Sequence, residues 1–451
     1  MGGIADELAK LHALYDQGAL TSVEFESAKA RVIAASSSHS NADASGGPTP
    51  AGTRVASARP RHRGQDADLF TPPRRSILFI HGLRGMAALL VVWSHLAGYW
   101  LYAYNRNWKP QTVWENTFVI PLHLYQNAGD LAVVLFFLVS GYIITHISLK
   151  ESHLQFGVKR FFRIFPPLAV ALFIAFVCVT IAVHLHAVGA LPRAPGVGVL
   201  PGVGPKTGFV LYLRSFFLMN WLPAGSGYVL GQTWTLLIEI MFYVLTFVLL
   251  TRSRRSPLAG TWAMFGIWLV ANMIFLSFTS GHEAENYVIY IAFLVFGRGL
   301  YLLHERKITL AEAITLLSAL VLCFVLFHTV EFPGVLGLPD WQSPAAGYVI
   351  AIIVFVALMQ VKVKRLPRFL RFFGDISYSL YLLHIPIGML TIDVLYNFHL
   401  PFTLCFLAGV TASIGASYAS YRLVEVPFQR IGRRLLSSRR SGEDFEVVRR
   451  A

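Results

Sequence analysis

The sequence predicts an all-α, polytopic transmembrane helical bundle of about ten spans, preceded by a small helical hairpin. Three observations carry that reading. The 451 residues are 55% hydrophobic and only 14% charged, with a mean hydropathy of +0.56, whereas soluble chains carry about 25% charged residues. The apolar residues gather into repeated stretches of around 20, each long enough to cross a hydrocarbon core of about 30 Å. The basic residues fall unevenly between alternate loops, which sets an orientation.

Taken in order, residues 1–35 form a unit of their own. Ile4, Leu8, Leu11 and Tyr15 recur at helical spacing, and Gly18 is placed to end that helix. Thr21 then caps a second helix, with Glu24 completing a capping box and Leu20 and Phe25 positioned as a hydrophobic staple. Phe25, Ala28 and Val32 give this helix its apolar side. So small a hairpin buries too little apolar surface to stand alone, and self-association or docking on a partner is expected. It resembles the short SHOCT-type helical hairpins attached to bacterial membrane proteins. The start is amphipathic and charged, so no signal peptide is expected, and Met1-Gly2-Gly3 with Asp6 gives no myristoylation signal. Residues 36–73, rich in Ser, Ala, Gly, Pro and Arg, read as a disordered cytosolic tether.

A transmembrane domain follows over 74–430, with spans expected at 82–102, 129–148, 167–187, 228–250, 259–279, 286–303, 308–328, 344–361, 376–395 and 401–423. With the N-terminus in the cytosol, Lys150, Lys159, Arg160 and Arg163 lie on that side. So do Arg252, Arg254, Arg255, Arg306, Lys307, the basic cluster in 362–371 and the basic tail 431–451. The opposite side holds Arg106, Lys109, Arg193, Lys206 and Arg214. That is the positive-inside pattern, and it puts both termini in the cytosol. The loop 188–227 opens on a Gly/Pro-rich segment and continues into 209–217, where a central Arg214 favours an interfacial or re-entrant helix over a further span. The net charge of +14 follows from topology and anionic lipid, so no nucleic-acid partner is needed. Cys178, Cys323 and Cys405 each sit in an apolar run and read as packing residues, neither a disulfide framework nor a metal site.

The chemistry is expected around Arg84 and His95, eleven residues apart in the first span. At about 100° per residue their side chains point within roughly 20° of each other, about 16 Å apart along the axis. Ionisable groups inside a span are costly to keep and mark functional sites. A cation at the mouth with an imidazole deeper in suggests a site that receives an anion and moves a proton at its far end. The plainer alternatives are a snorkelling Arg84 and a hydrogen-bonded helix contact at His95.

Five segments extend this pair. They are Gly82-Leu83-Arg84-Gly85 leading to His95; Asp130-Leu131 with Phe136-Phe137-Leu138-Val139-Ser140-Gly141; Arg160-Phe161-Phe162-Arg163 before Pro166-Pro167; Thr233-Trp234-Thr235 with Glu239 and Tyr243; and Gly374-Asp375-Ile376-Ser377-Tyr378 through His384, followed by Tyr421-Arg422-Leu423-Val424-Glu425-Val426-Pro427-Phe428. In this order over 82–428 they resemble the acyltransferase-3 family of bacterial integral-membrane O-acyltransferases. The resemblance implies transfer of an acetyl or other short acyl group from cytosolic acyl-CoA (acetyl-CoA as co-substrate, with no metal) to a hydroxyl of an extracytoplasmic glycan or lipid-linked sugar. It also implies a multi-pass protein of the bacterial cytoplasmic membrane.

The residues suit that task. Arg160 and Arg163, three apart at the expected cytosolic start of the third membrane helix, offer guanidinium forks and helical N–H groups to a polyanionic coenzyme A. Arg84 lies at the same level, and a pantetheine arm threaded inward approaches His95. His95 then acts as a base on the acceptor hydroxyl or carries an acyl-imidazole intermediate. Glu239, near mid-membrane, positions the acceptor, tunes His95, or pairs with Arg84. Asp130 touches a sugar hydroxyl or is a solvated span end; Ser140 contacts substrate or, with Gly141, makes a small-residue helix contact. Tyr378 stands with these two as a substrate-binding candidate, although Tyr378, Ser377 and His384 also read as architectural. Trp234 and Tyr243 read as interfacial or packing residues, and Arg298 and Arg422 as snorkelling ones. The chain departs from the family pattern at His81, where Asp is usual ahead of Arg84, and at Thr235, Ile240 and Ile385. The alternative reading is a transporter or exporter of a glycan, lipid or small metabolite, although no inverted repeat is visible. A third gives the function to residues 1–35 with the membrane body as an anchor.

Overall fold

Apolar segments without water to satisfy their amides must close their backbone bonds internally, and helix is the only regular structure among the described residues. A computed structural model describes residues 75–188, 191, 208–219, 229–278, 287–331, 344–361 and 363–437. The expected hairpin 1–35 and tether 36–73 lie outside the described residues. The principal helices are α1 (Arg75–Trp93), α2 (Lys109–Trp114), α3 (Gly129–Ser148), α4 (His153–Ala187), α5 (Gly208–Phe216), α6 (Trp234–Val248), α7 (Pro257–Phe278), α8 (Ile291–His304), α9 (Leu310–Glu331), α10 (Ala345–Gln360), α11 (Arg368–Leu383) and α12 (Phe402–Ser420), with short helices at Trp100–Ala103, Leu250–Arg255 and Leu390–Asn397. Among the described residues nine helical stretches are long and apolar enough to cross a membrane, so this is a multi-pass membrane protein. The expected eighth span, α10, has 16 residues, about 24 Å at 1.5 Å per residue, and falls short of that length. The segment around Arg214 forms the short helix α5, with Phe209 and Val210 exposed. The expected tail begins as helix, which runs on from α12 to Ser437.

Helix α3 sits at the centre, packed against α1, α8 and α10. Two glycines let α3 and α8 meet: a Cβ on Gly141 would strike the Leu294 carbonyl oxygen, and one on Gly297 the Leu138 carbonyl oxygen. Ser140-Gly141 is therefore, in part, the small-residue contact its sequence suggests. Helix α10 runs alongside α3 in the same direction, from Gly347 against Asp130 to Phe355 with its ring 5.9 Å from that of Tyr142.

A second close pair joins the first and penultimate long stretches. Gly85 lies against the backbone of Leu370 and Gly374, so α1 and α11 approach closely and run parallel. The register holds along their length: His81 meets Arg371, Gly85 meets Gly374, and His95 meets His384, each pair 289 or 290 residues apart. Beyond them, Trp100 Nε1 donates to Asp393 Oδ1 at 2.7 Å and the Tyr104 hydroxyl donates to the same atom at 3.0 Å.

Three of the membrane stretches loosen into single π-helical segments, Ser94–Tyr99, His384–Met389 and Tyr421–Glu425. Such segments are rare and concentrate at functional sites. Proline explains two of them. Pro386 has no N–H for the carbonyl of Leu382, which instead accepts from Gln232 Nε2 at 3.0 Å. Pro427 likewise leaves the carbonyl of Leu423 without its helical donor. Each segment carries a titratable side chain at or next to one end: His95 is the second residue of the first, His384 begins the second and Glu425 ends the third.

Two expectations are corrected here. Helix α4 begins at His153, capped by Ser152 with Gln155 completing the capping box, so Arg160 and Arg163 lie two turns inside it. Their neighbourhood therefore has no free helical N–H groups to offer a phosphate, and only the guanidinium part of that argument survives. Arg298 does not snorkel: it is fully buried, with Nε donating to Thr261 Oγ1 at 2.8 Å, because α8 is enclosed by α3, α7 and α9.

Candidate functional site

A cavity of about 140 Å³ opens among α1, α3, α4, α6 and α11, and six of the eight candidate residues line it: Arg84, Ser140, Arg160, Arg163, Glu239 and Tyr378. Each arrives from a different constraint. Arg84 lies between Gly82, which packs on Leu366, and Gly85, which packs on the backbone of α11, and these close contacts fix that turn of α1. Arg160 and Arg163 sit one turn apart on α4, just before Pro166 and Pro167, which remove the N–H donors to the carbonyls of Phe162 and Arg163. Tyr378 on α11 donates its hydroxyl to the carbonyl oxygen of Ile164 at 3.0 Å, tying α11 to that weakened turn.

The three arginines are held without salt bridges. Among the described residues the ion pairs are His81 with Asp375, at 3.1 Å, and Lys159 with Glu151. The guanidinium of Arg160 lies 5.8 Å from the ring centroids of Phe156 and Tyr243, and its Nε is buried without a hydrogen-bond partner. Two carboxyl groups stand within electrostatic reach of Arg84 and Arg163, those of Glu239 and Glu425. Each is occupied elsewhere. Glu239 Oε1 accepts from the Tyr243 hydroxyl at 2.5 Å and from Ser140 Oγ at 3.1 Å. Glu425, 3% exposed, accepts from Ser379 Oγ and Gln429 Nε2, both at 3.2 Å. Three guanidinium groups thus face two carboxyl groups, an arrangement that favours an anion.

These bonds narrow the sequence alternatives. Ser140 commits its proton to Glu239, and Glu239 bonds to Ser140 and Tyr243 rather than to His95. The missing acid ahead of Arg84 has a counterpart across the helix pair: His81, in its place, meets Asp375 of α11. Tyr378 is both a lining residue and a helix tie.

His95 and Asp130 are not on the cavity wall. The wall nearest the histidines includes Tyr381 and Thr235. The Tyr381 hydroxyl donates to the Gln232 carbonyl oxygen at 2.8 Å and lies 2.6 Å from Thr235 Oγ1, while its ring centroid is 6.1 Å from that of His384. Outside the cavity wall His95, half-buried, has its Nδ1 3.0 Å from the Val91 carbonyl oxygen and 3.2 Å from His384 Nε2. Arg84 and His95 both lie beside α11, Arg84 sharing the cavity wall with Ser377 and Tyr378 and His95 meeting His384, but only Arg84 lines the cavity.

The far side of His95 carries a strained turn. Gln126, Asn127 and Ala128 all have positive φ, 48°, 56° and 72°, at a cost of order 1 kcal/mol or more each. Ser94 Oγ holds the turn by donating to the Gln126 carbonyl oxygen at 2.7 Å, and Gln111 Nε2 donates to Asn127 Oδ1 at 2.6 Å. Gln111 Oε1, Trp93 Nε1 and Trp114 Nε1 are buried there without hydrogen-bond partners, and the rings of Trp93 and Trp114 lie 6.1 Å apart. Asp130, just past the turn, is no solvated span end: both carboxylate oxygens are buried without a partner, pressed against Gly347.

Sequence reasoning assigned no part to Glu425 or Tyr381 and made His384 architectural, although all three lie inside the motifs it singled out. A carboxylate two residues before a proline at a span end, and a histidine two before another, were the available signals.

The family model described as an acyltransferase domain matches residues 77–422. Nodulation protein 10 of Rhizobium leguminosarum bv. viciae is 26% identical over 381 residues, covering 80% of this chain and 95% of that protein. No solved structure matches.

Proposed function

This chain belongs to the acyltransferase-3 family, and we propose that it moves an acetyl or other short acyl group from cytosolic acyl-CoA to a hydroxyl of an extracytoplasmic glycan or lipid-linked sugar, with His95 as the catalytic base. The observation that carries this reading is the cavity lined by Arg84, Arg160 and Arg163, none of them in a salt bridge. Its charge suits the phosphates of coenzyme A. The acyl-pantetheine arm then points along α1 towards His95, and Tyr381 has to swing aside to admit the thioester. The acceptor approaches from the opposite face, past the Gln126–Ala128 turn, where unpartnered Trp N–H groups, an amide and Asp130 suit sugar hydroxyls.

In the transfer itself, neutral His95 takes the proton of the acceptor hydroxyl as its oxygen attacks the thioester carbonyl. The carbon–sulfur bond breaks, and the departing thiolate of coenzyme A recovers the proton from the imidazolium. Acylation of His95 first, then of the acceptor, is the same chemistry in two steps. The ten-span, both-termini-cytosolic topology and the bacterial cytoplasmic membrane belong to this proposal. The parallel course of α1 and α11 supports it, because a first and a ninth crossing run the same way only if α10 also crosses. Membrane vesicles given acetyl-CoA labelled in the acetyl group test the reading. Labelled glycan or glycolipid is expected from the wild type and none from His95→Ala; substrate flux without acyl-CoA consumption would instead make the protein a transporter.

A further inference from the structure

The hydrogen bonds at the histidine level admit only one arrangement of protons. His384 is fully buried, and its Nδ1 lies 2.9 Å from the carbonyl oxygen of Leu380. A carbonyl oxygen can only accept, so this nitrogen bears the N–H, and in a neutral imidazole Nε2 is then a lone pair. That lone pair faces His95 Nδ1 at 3.2 Å. His95 Nδ1 is also 3.0 Å from the Val91 carbonyl oxygen, a second acceptor. Both neighbours require a proton on His95 Nδ1, which leaves its Nε2 unprotonated.

We propose that His384 is the positioning residue of the transfer reaction: by accepting from His95 Nδ1 it fixes the ring and the tautomer in which Nε2 is the free base. This rests on the reading of His95 as the catalytic base. His384 touches neither substrate nor reacting atoms; it does for His95 what a carboxylate does in a Ser-His-Asp triad, but without a charge. As His95 gains a proton on Nε2, its Nδ1–H becomes a stronger donor, and the bond to His384 strengthens when it is needed. The fold supplies the alignment independently. The Gly85–Gly374 contact sets α1 and α11 in a register that places residue 95 beside residue 384; His95 is the second residue of one π-helical segment and His384 the first of another.

Two measurements on the full-length protein in membranes test this. Ring-15N histidine spectra, with His95 assigned by the signals missing in His95→Gln, report its tautomer directly. A protonated Nδ1 and an unprotonated Nε2 are expected in the wild type, and a mixture of tautomers in His384→Ala. In acetyl transfer, His384→Ala is expected to lower kcat at least about tenfold with KM for acetyl-CoA unchanged. His384→Gln, whose amide oxygen can accept the same N–H, is expected to recover part of that loss. A proton on His95 Nε2 in the wild type, or His384→Ala with unaltered kcat and spectrum, overturns the proposal. A wild type without transfer activity removes the functional reading, while the ring-nitrogen signals still decide the tautomer.

Discussion

The two ends of the first transmembrane stretch solve opposite problems. Around Arg84 the bundle holds charge unpaired: three guanidinium groups line an open cavity, and the carboxyl groups within reach are already bonded to hydroxyls and amides. Around His95 two acceptors, the Val91 carbonyl oxygen and His384 Nε2, converge on one ring nitrogen, and a strained turn lies on the other side. Leaving charge unsatisfied prepares a place for a charged ligand. Satisfying every acceptor around a ring leaves one nitrogen free to work. On the proposed reading, the difference teaches that the donor site and the base lie about three helical turns apart on one helix, held by opposite means.

Mutations break that division where it predicts they will. The largest effect is expected from His95→Ala, which removes the base and lowers transfer by about 100-fold or more, read as labelled acetyl incorporated per minute. Next, Arg160→Ala and Arg163→Ala each remove a charge-assisted contact of about 1.5–3 kcal/mol, so KM for acetyl-CoA rises roughly tenfold or more while kcat changes less. An equal fall in kcat with KM fixed would move these residues from the binding end to the chemical one. Gly297→Leu forces a side chain into the Leu138 carbonyl and is expected to cost about 1–3 kcal/mol of stability, measured as a lowered midpoint of thermal aggregation in detergent. Tyr381→Phe loses the bond to Gln232 and leaves the ring less tethered; a few-fold change in kcat, with acetyl-CoA binding retained, sharpens the comparison. Ser140→Ala is expected to do least, because Glu239 keeps its bond from Tyr243.

Much of this was legible in the residues themselves. Apolar runs gave the helices, and Arg84, Arg160, Arg163 and Glu239 marked three walls of the cavity, α1, α4 and α6. What escaped was set by contacts between distant helices. No periodicity within α1 reveals that Tyr381 of α11 lines the cavity with its ring 6.1 Å from that of His384. Equally, the length of the apolar run could not say that α4 starts at His153, because the Ser152 cap lies among polar residues ahead of the span. Asp130 looked like a span end and proved to be buried, because Gly347 lets α10 close over it. His384 reads as architectural from the sequence; that its Nε2 lies 3.2 Å from His95 Nδ1 is set by the α1–α11 register, which neither segment reveals alone.

The most direct test of the account is stoichiometry. Purified protein in vesicles, given acetyl-CoA and membrane glycolipid, is expected to release one free coenzyme A thiol for every acetyl ester formed, and His95→Ala neither product. Ester formation that survives the loss of His95, or acetyl reaching the far side without thiol release, would contradict it.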